Sequence, residues 1–106
     1  MKIGVIIETN NPEQAWNAVR FCNASLQRGH EVRVFLISAG VEIEGITDEK
    51  YNVSLQLEKF SSASGIIYAC GTCLKSRNQD ESSVCPMSTM NDCVDMVEWS
   101  DKVISF

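Results

Sequence analysis

Basic residues are scarce in this chain and nowhere clustered: nine Lys and Arg stand against fourteen Asp and Glu, a formal net charge of −5. Binding to a phosphate backbone needs a basic patch that displaces counterions, so nucleic acid is not an expected partner. Long apolar runs are missing too. The opening run, Met1 to Ile7, stops at Glu8, short of a signal peptide's core and far short of the roughly 20 residues a spanning helix requires. No membrane association is expected, and the expected location is the cytoplasm. No G-x-G-x-x-G and no phosphate-binding loop follows that run, which argues against a nucleotide or dinucleotide, and no cofactor is expected. The single histidine, His30, follows Gly29 at a helix-to-strand turn. It falls at the sheet edge opposite the one where reactive groups gather, so a Cys-His hydrolase pair is not expected within one subunit.

What the chain does have is cysteine. Five (Cys22, Cys70, Cys73, Cys85 and Cys93) form an odd set on a chain with no export pattern, a poor fit to a secreted disulfide framework. A length of 106 residues leaves room for one domain, residues 1–106, with one core, so any sizeable site must be shallow or shared between subunits.

Local patterns set the expected elements. Residues 2–7 form a continuous apolar, β-branched run, as in a strand buried on both faces. Asn11, Pro12 and Gln14 mark a helix start, Ala15, Val19, Cys22 and Leu26 its apolar face, and Gly29 its end. A second strand is expected over 32–37, followed by a polar connection at 41–50 without periodicity. From Tyr51 the apolar spacing fits either a strand or a helix. Helix is preferred because the runs at 32–37 and 65–69 resemble neighbouring parallel strands, which need a crossover. A short helix follows Cys73. Thr89 with Asp92 opens a last helix, whose apolar face is Met90, Cys93, Val94 and Val97, and residues 102–106 close the chain as a strand. The alternation predicts an α/β domain, a parallel sheet sandwiched by helices, Rossmann-like or flavodoxin-like.

The segment Gly65 to Cys73 runs a strand straight into a C-x-x-C pair where a helix should begin. Such a position favours thiolate, the reactive form, and lies at the sheet edge where ligands gather. Cys70 is therefore the candidate nucleophile. Gly71 allows close backbone approach, Thr72 is a candidate cap, and Lys75 and Arg77 are candidate sources of positive charge. Glu8 and Asn10 end the first strand on the same edge and are candidate pocket residues. Cys73 is a second catalytic candidate; it can resolve a persulfide or mixed disulfide, be a thiol in reach, or point into helix packing. Cys85, before Pro86, is an auxiliary thiol candidate whose loop can fold back toward the pair. Cys22 and Cys93 fall on apolar helix faces as small hydrophobes. Zinc held by Cys70, Cys73, Cys85 and Cys93 fits poorly, since seven residues separate the last two and a zinc half-site ordinarily has about two to four; no metal is expected.

At these residues the chain resembles the DsrE-like family of sulfur-relay proteins, which includes the Tus and Dsr sulfur-transfer subunits. The likeness rests on Glu8-Thr9-Asn10-Asn11-Pro12-Glu13 after the opening strand, on Arg28-Gly29-His30-Glu31-Val32 leading into Val34-Phe35-Leu36, and most of all on Ala69-Cys70-Gly71-Thr72-Cys73-Leu74-Lys75. Cys85-Pro86-Met87-Ser88-Thr89-Met90 and Trp99-Ser100-Asp101-Lys102-Val103 extend it to nearly the whole chain. The resemblance implies a parallel α/β fold and a homotrimer or homohexamer. It also implies a sulfurtransferase-like carrier whose cysteine, here at Cys70, holds sulfane sulfur as a persulfide between donor and acceptor proteins with reactive thiols. Cys73 and Cys85 are additions that a single-cysteine carrier does not need. They leave open a dithiol–disulfide module using Cys70 and Cys73, beside a non-enzymatic oligomeric binding or regulatory module. Trp16 and Trp99, beside rather than on their helices' core faces, are candidates for subunit contacts.

Overall fold

Runs of β-branched residues with no polar alternation can only be satisfied between two covering layers, and they become the interior strands of one sheet. The computed structural model describes all residues, Met1–Phe106. Its strands are β1 (Lys2–Ile7), β2 (Glu31–Leu36), β3 (Ile66–Cys70), β4 (Met87–Ser88) and β5 (Lys102–Ser105). They lie in the order β4-β3-β2-β1-β5, and every neighbouring pair is parallel. The chain winds outward from β1 to β4, then returns to place β5 on the other side of β1. This is the expected Rossmann-like α/β sandwich.

The helices begin where side chains satisfy their free N–H groups. Asn11 accepts from the Gln14 N–H at the head of α1 (Pro12–Gln27), Asn52 accepts from Leu55 at the head of α2 (Val53–Ser62), and Thr89 with Asp92 forms a complete capping box on α4 (Met90–Trp99). Gly29 ends the first crossover with φ of 85°. The ambiguous stretch from Tyr51 is helical, because parallel β2 and β3 must be joined across the sheet face.

α1 and α2 pack together on one face, over Ile3, Val5, Ile7, Val32, Val34, Leu36 and Ile67. α4 covers the other face alone, seated on β1. Gly4 makes that seat, since a Cβ there would strike the Ser100 hydroxyl at the end of the helix. Two elements escaped the sequence patterns. The connection expected to be irregular at 41–50 begins as a 3₁₀ helix over Ser38–Gly45 that buries Gly40, Val41 and Ile43. The two-residue strand β4 is too short to show a period.

The face expected for α4 is corrected. Cys93 and Met96 are buried, whereas Met90, Val94 and Val97 are exposed. Met96 packs toward Gly4 on β1, so the face that meets the sheet runs through Cys93 and Met96 and the rest of the apolar stripe points outward. The tryptophans are half-buried against their own chain. Trp16 packs on Tyr51 at 5.4 Å between ring centroids, and Arg20 lies 4.2 Å over it. Arg33 lies 4.0 Å over the Trp99 ring. No helix is long and apolar enough to cross a membrane.

Candidate thiol site

β3 ends in Cys70, whose backbone is still extended (φ −60°, ψ 116°), and the next residue already begins α3 (Gly71–Ser76). Cys70 is therefore itself the N-cap, without a side-chain capping bond, and Thr72 stands inside the first turn. The capping role expected of Thr72 is thus not available to it. So abrupt an exit from strand to helix requires Gly71, because a Cβ would lie 2.9 Å from Met87 Cγ and 3.1 Å from the Ser88 carbonyl oxygen on the adjacent β4.

Cys70 is only 4% exposed, whereas Cys73, one turn on, is half-buried. The Cys73 Sγ accepts a hydrogen bond from the Ser38 backbone N–H at 3.2 Å. Ser38 leaves β2 with φ of 53°, a left-handed conformation that a serine rarely adopts. Gly40, two residues later, holds this turn down; a Cβ there would strike the Ile7 carbonyl at the end of β1. Desolvation raises the Cys73 thiol above the ordinary thiol range and the neighbouring Cys70 thiol raises it further, while the Ser38 N–H and the charge of Arg77 oppose them.

The charged residues divide. Arg77 Nη1 donates to the Cys73 carbonyl at 3.2 Å, but its Nε donates to Glu42 Oε2 at 2.7 Å, so its charge is shared. That contact, together with a hydrogen bond from Asn10, holds the Glu42 carboxyl below the usual range despite some desolvation. Asn10 and Glu42 line a shallow cleft with Gly45, Ile46 and Gln79. Lys75 instead lines an open groove of about 520 Å³ with Gly71, Thr72, Met87, Ser88 and Thr89. Glu8 is exposed, and its N–H donates to the carbonyl of Phe106 across the C-terminal edge.

Cys85 is buried beside Glu44 and Ser82. Burial, and to a lesser degree the Glu44 carboxylate, push its thiol up to about 12, opposed by Ser82. Its loop does return to the pair's strand, since the Ala69 N–H donates to the Pro86 carbonyl at 2.9 Å, while Gln79 and Ser82 tie the loop to Val41 and Glu44. Cys22 is buried in α1 with its thiol pushed to about 12 by desolvation. Cys93 is buried too, and its thiol is raised by desolvation and then by the charge of nearby Cys70. No group of three or more His, Cys, Asp and Glu side chains converges to hold a metal ion. His30 contacts the N-terminal amine at the opposite edge of the sheet.

Two residues at the site were not singled out from sequence, Ser38 and Glu42, while Cys93, on an apolar helix face as expected, also neighbours Cys70. Ser38 carried a signal, because it follows β2 at the same sheet edge as Cys70 and precedes Ala39-Gly40. Glu42 carried none.

The whole of this arrangement, residues 1–106, matches the model of the DsrE/DsrF-like family. An uncharacterized protein of Methanocaldococcus jannaschii is 33% identical over 115 residues, with both chains covered in full. One of Methanopyrus kandleri is 37% identical over 100 residues, covering 89% of this chain and 83% of that one. The crystal structure of the ychN protein from E. coli matches with a TM-score of 0.84 over all of both chains at 23% identity, a likeness of fold. The chain is a member of the DsrE/DsrF-like family.

Proposed function

We propose that this protein is a small cytoplasmic sulfur carrier that accepts sulfane sulfur on Cys70 as a persulfide and yields it to the thiol of a partner protein. The observation that carries this reading is the placement of two free thiols, Cys70 and Cys73, at the C-terminal end of an interior parallel strand. In loading, the Cys70 thiolate attacks the outer sulfur of a donor persulfide and the donor leaves as a thiolate. Cys70 is buried at the strand end, and Cys73, the more exposed thiol, stands one helical turn on at the surface a partner can reach. The open groove beside Gly71 and Thr72 gives a partner segment somewhere to lie. Membership in the DsrE/DsrF-like family supports the same chemistry. Copies of the chain associate, as a trimer or hexamer, through the apolar residues that α4 turns outward.

Incubation with a sulfane-sulfur donor in the presence of a thiol acceptor tests the carrier. The wild type is expected to load and transfer, and Cys70→Ser to do neither; loading that survives in Cys70→Ser sinks the assignment. A dithiol–disulfide module is the second reading, favoured by the same adjacency of Cys70 and Cys73.

A further inference from the structure

Cys70 and Cys73 occupy the N-cap and the third position of α3. In α4 the same two positions hold Thr89 and Asp92, whose side chains touch, Thr89 Oγ1 donating to Asp92 Oδ2 at 2.9 Å. This spacing directs a third-position side chain back to its cap, and the Cys70 thiol is among the groups that act on Cys73. The Ser38 N–H holds the Cys73 sulfur at 3.2 Å and partly offsets the desolvation that disfavours its thiolate. A persulfide on Cys70 therefore has a built-in thiol beside it, at an effective concentration that a free acceptor cannot match.

We propose that the pair has a second activity, reductive discharge of the bound sulfur: the Cys73 thiolate attacks the Cys70 sulfur of Cys70-S-SH, forming the Cys70–Cys73 disulfide and releasing HS⁻. This rests on the persulfide reading above. The electron pair of Cys73 makes the new S–S bond, and the pair of the broken persulfide bond leaves with the outer sulfur, which keeps its proton. The two cysteine sulfurs together lose two electrons, and the sulfane sulfur gains them. A dithiol reductant then restores both thiols by exchange. Attack on the outer sulfur only moves the persulfide from one cysteine to the other. Attack on the inner sulfur expels hydrosulfide, a better leaving group than an alkyl thiolate because its acid is the stronger. The substrates are persulfides and polysulfides, and the product is sulfide.

The test loads wild type, Cys73→Ser and Cys73→Ala with inorganic polysulfide, removes the excess by rapid desalting, and follows intact mass, peptide maps and released sulfide over time. The wild type is expected to finish about 2 Da below its reduced mass, with Cys70 linked to Cys73 and one sulfide released per loaded chain, while both variants stop at a gain of about 32 Da on Cys70. A wild type that keeps its added sulfur as long as the variants do overturns the discharge and leaves the carrier standing. Absence of added sulfur on Cys70 in all three proteins overturns both.

Discussion

Burial sorts the five thiols by environment, and two of them make stability depend on pH. Cys22 and Cys85 are held at about 12 by the fold, against an ordinary value of 9.0. A raised thiol pKa means that the native state prefers the protonated form. Below the ordinary value both thiols are protonated in folded and unfolded chains alike, and their contribution is constant. As pH rises from there toward about 12, the unfolded chain loses these protons and the native chain keeps them. Stability then falls by about 1.4 kcal/mol per pH unit for each thiol. Urea unfolding midpoints measured across this alkaline window should drop steadily, and Cys22→Ala should remove about half of the slope attributable to the pair. A slope that Cys22→Ala leaves unchanged would show that burial of this thiol does not drive it.

At the scale of elements, the site is a junction held together by two glycines. Gly71 lets α3 start against β4, and Gly40 lets the 3₁₀ turn rest on the end of β1. A methyl group at Gly40 must displace backbone, whereas at Gly71 it presses first on the Met87 side chain and only then on the Ser88 carbonyl; overpacking of this kind costs about 1–3 kcal/mol, and more where nothing yields. Gly40→Ala meets the Ile7 carbonyl itself, and is expected to be the costlier in thermal unfolding. It should also loosen the turn carrying Ser38, so that Cys73 alkylates faster in the native protein. Gly71→Ala should instead shift Met87 and Ser88, leaving the Ser38 contact in place. Equal alkylation rates at Cys73 in wild type and Gly40→Ala would show that the turn is not what positions this sulfur. The strand that carries Cys70, the helix after it and the caps of α1 and α4 were legible in sequence, because each depends on residues a few positions apart. Gly40 and Gly71 could be seen as glycines but not assigned a neighbour, since the atoms they admit belong to β1 and β4.

For the whole molecule, the uneven covering of the sheet matters most. α1 and α2 together close one face, but α4 alone serves the other. Strand register places Val103, Gly4, Arg33 and Ile66 in one row on that side. Gly4 lies under α4, while Val103 and Ile66 remain exposed, as do Met90, Val94 and Val97 on the helix. Apolar residues grouped on one side of a small domain mark an association surface. The proposed oligomer should therefore dissociate when Val94→Glu and Val97→Glu are combined. Sedimentation at micromolar concentration is expected to show assemblies for the wild type and monomers for the double variant. A wild type that sediments only as a monomer removes the oligomer. The tryptophans offer no comparable surface, because Arg20 and Tyr51 engage Trp16 and Arg33 engages Trp99.

The sequence by itself determined the parallel α/β architecture, the helix starts at Asn11 and Thr89, and the arrival of Cys70 at a strand's C-terminal end beside a second thiol. Apolar periodicity, capping and turn chemistry act between near neighbours, so they are written in short stretches of chain. Only the tertiary structure decided that the Ser38 N–H meets Cys73 across a separation of 35 residues, that Glu42 shares the charge of Arg77, that Cys93 approaches Cys70, and that Met90, Val94 and Val97 of α4 face outward. Each of these depends on which distant surfaces the sheet order brings into contact, and no local pattern encodes that order.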